Sequence, residues 1–244
     1  MSKTDIKGMA CTLSRSRDRK VTNAVSPSGK PLIANAFGLP SGAQYSCPGA
    51  TSYCDSICYA GKLEKIYKGV SALLFRNFDA LRDASLDDMV NMLSDMVAEF
   101  VADCERRDAR RIFRIHWDGD FFSPVYVVAW QKVIAAFPDV QFWVYTRVAT
   151  AATFLHAQKL ANLSLYFSAD RDNVDVARHL AGRGILIAYV DDTFAQGKAA
   201  FPKATRCPEN NGSLPLISDK GSACARCGLC VEGRKSVLFS ASKR

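Results

Sequence analysis

The stretch RIFRIHWDGDFFSPVYVVAWQKVIAAFPDVQFWVYTR, residues 111–147, changes its apolar period twice. From Arg111 to Asp118 the side chains alternate: Phe113, Ile115 and Trp117 share one face, and Arg114, His116 and Asp118 share the other. That is the two-residue repeat of a strand. Residues 124–136 turn to a helical repeat, and Gln141 to Arg147 alternates again, with Trp143, Tyr145 and Arg147 on one side. Strand, helix, strand at this spacing predicts parallel pairing through a right-handed crossover.

The same rhythm continues in both directions. Strands are expected at Leu163–Asp170 and Gly184–Asp191, with helices over 150–160 and 173–182 between them. Upstream, Leu63–Arg82 and Ser85–Glu105 read as helices. In the second, Met89, Met92, Leu93, Met96, Val97, Phe100, Val101 and Cys104 fall on one face, which makes Cys104 a core residue. "PLIANAF" (31–37) and "KSVLFSA" (235–241) extend the sheet at either end, and residues 192–223 form the longest irregular stretch.

A parallel sheet covered by helices on both faces is apolar on both. Here one face is polar: Ser164, Tyr166, Ser168 and Asp170 lie opposite Leu163, Leu165 and Phe167, and Tyr189 aligns with Asp191. The expectation is an α/β chain folded as a partial (β/α) TIM-like barrel, with its functional groups at the C-terminal strand ends. Arg114, His116, Asp118, Tyr145, Arg147, Tyr166 and Asp170 would line the lumen. His116 is the candidate for proton transfer, against the commoner structural histidine. Arg114 and Arg147 would grip a carboxylate or phosphate, with salt-bridged packing as the plainer alternative.

Length and composition fit one domain spanning residues 1–244. The chain has 244 residues, 48% of them hydrophobic, enough for a substantial core without disulfide staples. No run approaches eighteen apolar residues, and the N-terminus is polar, so a soluble cytoplasmic protein without membrane association is expected. The formal charge of +8 leaves room for a nucleic-acid partner through "SRSRDRK", "CERRDARR" and the C-terminal tail, or for a merely solvated surface. Oligomeric state is not legible.

Nine cysteines in such a chain point to metal ligation. "CARCGLC" sets Cys224, Cys227 and Cys230 in C-x2-C-x2-C spacing, the opening of a bacterial ferredoxin run. The next ferredoxin position is Arg234, so Cys207 in "RCPEN" is the expected fourth ligand of a [4Fe-4S] cluster within a cysteine-rich segment, 192–244. Zinc on the same four thiolates is the alternative. "CPGATSYCDSICYAG" (47–61) supplies Cys47, Cys54 and Cys58 as C-x6-C-x3-C. Three thiolates on a second cluster leave one iron with an open position, unless Cys11 closes it.

These two stretches, the cysteine loop and the "GDF" strand end, resemble the phage gene product 88 family over about residues 35–190. They also resemble phage-associated radical S-adenosylmethionine-like proteins. The second resemblance implies a partial barrel whose three-cysteine loop holds a [4Fe-4S] cluster that chelates and cleaves S-adenosylmethionine. Cys47, Cys54 and Cys58 would be the ligands, Gly119 and Asp120 would contact the methionyl amine, and Ser168 and Asp170 would reach the ribose or a substrate. "CARCGLC" would correspond to an auxiliary cluster, and a phage protein would work in the host cytoplasm. The intervals six and three depart from the three and two of that superfamily. Three functions therefore compete: a radical S-adenosylmethionine-like enzyme acting on a small molecule or nucleic acid, a non-enzymatic iron–sulfur protein binding nucleic acid or a host protein, and a structural zinc protein.

Overall fold

The computed structural model describes residues 12–21, 32–218 and 221–242; Cys11 and the last two residues of the C-terminal basic tail, Lys243 and Arg244, lie outside them. The described chain is mixed α/β. Its helices are α1 (Ser52–Ile57), α2 (Tyr59–Ile66), α3 (Lys68–Leu81), α4 (Leu86–Arg106), α5 (Pro124–Ala136), α6 (Ala149–Ala157), α7 (Val174–Gly182), α8 (Phe194–Ala200) and α9 (Ala223–Cys227). Its strands are β1 (Ile112–Ile115), β2 (Gln141–Thr146), β3 (Leu163–Ala169), β4 (Leu186–Asp191), β5 (Thr205–Arg206), β6 (Ile217–Ser218), β7 (Gly221–Ser222) and β8 (Val237–Ser240). Strands β6 and β7 form a separate antiparallel pair.

Six strands make one parallel sheet in the order β1-β2-β3-β4-β8-β5. Ala36 bridges Arg114 in parallel and Ser16 in antiparallel sense, which carries extended chain beyond the β1 edge. Thus 32–37 does border the sheet, whereas β8 enters it between β4 and β5 rather than at an end. The described pairings form an open sheet, and no closed barrel is present among them.

Strands β1 to β4 lie side by side in chain order, the arrangement in which right-handed crossovers return successive helices to the same face. One core cluster packs α4, α5 and α6 against Phe113, Ile115, Phe142, Val144 and Leu165. A second packs α7 and α8 against Phe167, Ile187, Tyr189 and Leu238. Burying each apolar side chain in these clusters stabilises the fold by about 25 cal/mol per Å2 of apolar surface removed from water. Cys104 is buried in the first cluster, as its helical position predicts. Tyr189 is buried in the second, hydrogen-bonded to Asp191; its place is on the helix side, not in a polar stripe.

Local chemistry explains where elements begin and end. Ser85 caps α4, accepting from Asp88 N at 3.2 Å, and Ser123 caps α5 ahead of Pro124. The helix expected over 63–82 is two helices: Tyr67, at φ −112° and ψ 94°, leaves the helical region between α2 and α3. Residues 192–223 are more regular than expected, because Thr193 and Gln196 form a reciprocal capping box that starts α8. Among the described residues, no helix is long and apolar enough to cross a membrane.

Candidate metal centres

The opposite face of the sheet has its own cover. Residues 229–237 lie across it: Tyr166 donates to Leu229 O or Lys235 O, each at 3.1 Å, and Ser164 Oγ donates to Val231 O at 2.7 Å. The expected lumen for Arg114, Tyr145 and Tyr166 is therefore filled by the chain's own C-terminal segment, which buries Trp143, Tyr166, Ala188, Cys207 and Cys230 together. The alternation of these strands was legible; what occupies their polar face was not.

Cys207, Cys224, Cys227 and Cys230 line one small cavity of about 20 Å3 in this cover. Gly228, at φ 67°, ends α9 in a left-handed C-cap, with its N–H on Cys224 O at 3.0 Å. That reversal brings Cys230 back toward Cys224. Backbone bonds hold the frame: Cys207 N to Leu238 O and Cys224 N to Lys20 O, both at 2.9 Å. The Tyr145 hydroxyl is hydrogen-bonded to Cys230, and burial pushes that thiol up to about 12. Burial also raises Cys207 and Cys224. Such thiols keep their protons until a metal displaces them.

The second set sits at the other kind of boundary, the C-terminal ends of the strands. The loop carrying Cys47, Cys54 and Cys58 is fastened there at four points. Ser46 Oγ accepts from Asp120 N at 3.3 Å beyond β1, and Gly49 packs so closely on the chain after β2 that a Cβ would lie 2.6 Å from Arg147 O. Thr51 donates to Asp170 Oδ2 at 2.6 Å after β3, and Tyr53 donates to Asp192 Oδ1 at 2.9 Å after β4. Thr51 also caps α1 by accepting from Cys54 N at 3.0 Å. Cys58 caps α2, its sulfur accepting from Gly61 N at 3.3 Å. All three cysteines are partly exposed. Burial, followed by the Asp120 charge, pushes Cys47 up to about 12. Burial also raises Cys54 and Cys58; Arg147 opposes it at Cys54, and the backbone N–H of Gly61 opposes it at Cys58.

The expected polar residues take distinct places around this loop. Asp120 accepts from Thr146 Oγ1 at 2.6 Å, Arg147 N at 2.7 Å and Phe121 N at 2.7 Å, so both its oxygens are engaged internally. Asp170 accepts from Arg147 Nη1 and Thr51 Oγ1 at 2.6 Å, and from Asp172 N at 2.9 Å. It anchors the loop. Gly119, at φ 77°, is required where it stands, because a Cβ would fall on Ser46 Oγ and within 2.8 Å of Leu39 O. Ser168 is half-buried on the covered face of β3. Arg114 is buried on that same face, paired with Asp18 at 2.7 Å and lying over the Trp143 ring at 5.0 Å.

His116 departs from the expectation. Its φ of 58° breaks the strand alternation, so the ring turns to the helix side, among Phe37, Phe121 and Tyr126. There its Nε2 meets the Tyr126 hydroxyl at 2.9 Å. Burial, with Arg114 behind it, depresses its pKa to about 3. It shares no face with Arg114 and touches neither cysteine set. Asp118, two residues on, is buried after β1 with its carboxyl beside that of Glu64 in α2.

Sequence reasoning passed over Thr51, Glu64, Tyr59 and Arg171. Thr51 had a signal, since a threonine three residues before Cys54 is a helix cap. Arg171, bonded to Asp191 at 2.6 Å and stacked on Tyr53, had none. Among the described residues, no group of three or more His, Cys, Asp or Glu side chains converges tightly enough to hold a single metal ion.

Comparison with known proteins gives the family. The gene product 88 profile matches residues 11–233. The Gene 88 protein of Mycobacterium phage L5 is 64% identical over 236 residues, covering 95% of this chain and 99% of that protein. The Gene 88 protein of Mycobacterium phage D29 is 64% identical over 238 residues, covering 96% and 99%. No solved structure matches, and none of these likenesses supports kinship with radical S-adenosylmethionine proteins. The chain belongs to the phage gene product 88 family.

Proposed function

We propose that this chain is an iron–sulfur protein with two cluster sites on a half-barrel sheet. Cys207, Cys224, Cys227 and Cys230 would hold a closed [4Fe-4S] cluster beneath the sheet, and Cys47, Cys54 and Cys58 a second at the strand ends. The observation that carries the reading is that four thiols, with Pro208, Ala223 and Leu229, line one cavity, and that Tyr145 lies beside Cys230. A zinc ion needs its four donors about 2.3 Å from one point. A cubane instead takes each thiolate on a different iron, so its donors stand wider apart.

When bound, such clusters supply one-electron transfer and, at the three-thiolate site, an iron corner able to take an exogenous ligand. The protein's own part is positional. Tyr145 and the Gly61 N–H hold the sulfurs, hydrogen bonds of the kind that tune a cluster. Trp143, Tyr166 and Val231 exclude water from the inner site, while Arg147 faces Cys54 and offsets thiolate charge. The inner site is structural or electron-storing; the outer, partly exposed site meets solutes.

One observation favours a narrower reading, binding of S-adenosylmethionine: the Gly119–Asp120 turn lies against Ser46, beside Cys47. Anaerobic purification with iron, sulfide and zinc analysis tests the main reading. Cys224→Ser and Cys54→Ser should each lose about half of the iron and sulfide. Colourless protein containing zinc and no sulfide overturns both iron readings. S-adenosylmethionine added to the reduced protein then decides the narrower one, by a perturbed cluster spectrum and released deoxyadenosine. No such response, together with salt-sensitive DNA retention, would favour a binding role.

A further inference from the structure

We infer that the outward side of α2, with the joint that follows it, is a docking surface for single-stranded nucleic acid, its lysines meeting phosphates and its exposed tyrosines stacking on unpaired bases. The inference does not rest on the iron–sulfur reading.

The stretch YAGKLEKIYK, residues 59–68, interleaves aromatic and cationic residues. A helix sets positions three and four apart on one side, and in α2 Tyr59, Lys62, Lys65 and Ile66 all stand exposed. The other side is committed to the fold: Ala60 is buried, and Glu64 accepts from Ser41 N at 2.9 Å. Tyr67 and Lys68 continue the exposed row past the helix end. Tyr59 is 50% exposed, Ile66 66% and Tyr67 55%. Single exposed apolar side chains are ordinary on a protein surface, but three such residues within positions 59–67, rimmed by lysines, mark a contact surface.

The positive charge of this side is uncompensated. Glu64 is the one acidic residue between Asp55 and Asp79, and its carboxylate is turned inward. Lys62, Lys65 and Lys68 form no ion pair among the described residues, whereas in the arginine runs Arg15 and Arg106 pair with Asp103, Arg111 with Glu105 and Arg234 with Glu232. Lys20 brings a further cation to the patch, its Nζ 5.7 Å over the Tyr59 ring. That ring is also held at its edge, where the hydroxyl donates to Trp117 O at 3.2 Å. It is therefore in place before a ligand arrives, which lowers the ordering cost of binding.

Three occupants differ in what they offer such a surface. A membrane-surface helix segregates its apolar and cationic residues on opposite sides, and here both kinds share the outward one. A duplex presents phosphates but keeps its base faces stacked, leaving Tyr59 and Tyr67 nothing to receive. A single strand presents both, phosphates for the lysines and base faces for the rings.

The test is fluorescence anisotropy of the full chain with a labelled thymidine oligonucleotide of about twenty residues, titrated at several salt concentrations beside a duplex of the same length, with circular dichroism as the check of folding. Wild type should bind the single strand more tightly than the duplex, with affinity falling as salt rises. Lys62→Ala combined with Lys65→Ala should weaken binding at least about tenfold and flatten the slope of log K against log salt by about 1.4, or about 0.7 for each lost phosphate contact. Tyr67→Ala should weaken it at least about fivefold with the slope unchanged, and Tyr67→Phe should restore it. Arg106→Ala combined with Arg107→Ala removes the same charge beyond the opposite end of β1 and should change affinity by less than about twofold. Failure of wild type to retain the single strand, tighter binding of the duplex, or equal losses in the two double variants overturns the inference. Polyglutamate displacing the labelled strand more effectively than unlabelled strand does assigns the surface to an acidic protein instead, and overturns it as well.

Discussion

The replacement Asp170→Ala tests whether the strand ends or the loop itself hold Cys54 in place. Asp170 is fully buried and pairs with Arg147, whose side chain is only 10% exposed, at 2.6 Å. Deleting one partner of such a pair leaves the other charge buried and uncompensated, at a cost of about 3–5 kcal/mol. That corresponds to about two to nearly four decades in the folded-to-unfolded ratio. The Thr51 hydroxyl loses its acceptor in the same step, and with it the tie between the loop and β3. Urea unfolding of the metal-free, reduced protein reads the global cost. Alkylation of individual cysteines, mapped by mass spectrometry, reads the local one: Cys54 should react at least about tenfold faster, beyond the rise at Cys224 that global destabilisation brings. Adding Arg147→Met should recover part of the loss, since it removes the stranded charge. A cost below about 1 kcal/mol, or equal acceleration at Cys54 and Cys224, would refute the reasoning.

Other consequences can be checked on the same protein. Gly119→Ala should cost about 2 kcal/mol or more, because it combines a positive φ with contact against Ser46 and Leu39; the melting temperature reports it. His116 stays neutral in the fold down to about pH 3, whereas an unfolded histidine charges near its ordinary 6.5. The unfolded chain therefore binds more protons in that window, and stability is lost as the pH drops through it, by up to about 1.4 kcal/mol per unit. His116→Asn, which tolerates the left-handed φ, should lose this increment; parallel wild-type and variant stability curves would contradict it. Arg114→Ala strands Asp18 beneath the sheet and should destabilise by about 3 kcal/mol or more in denaturant titration. Cys104, buried with its thiol toward Arg110 O at 3.7 Å, should resist alkylation in native metal-free protein while Cys54 and Cys58 react.

Much of the helix layer was legible because it is set by local periodicity. The face of α4 that carries Met89 to Cys104 is the face buried, and Phe113, Phe142 and Phe167 go to the helix side as two-residue alternation requires. Alternation failed where one backbone angle intervened: His116 crosses to the aromatic core because its φ is positive, which no polarity pattern announces. The capping box of Thr193 and Gln196 was present in the sequence and went unread among its Gly, Pro and Ser neighbours. The grouping of Cys207 with Cys224, Cys227 and Cys230 followed from spacing, and the structure does bring those four to one cavity.

The sequence by itself determined the alternation of strands and helices, the buried faces and the two cysteine constellations, since each depends on residues a few positions apart. Only the tertiary structure decided what the polar face of the sheet meets. Residues 229–237 return over more than sixty positions to cover Tyr166 and Ser164, and β8 inserts between β4 and β5. The same long-range packing carried the cysteine loop onto four strand ends and set Asp118 against Glu64. Such contacts depend on chain closure over long separations, for which local pattern holds no information.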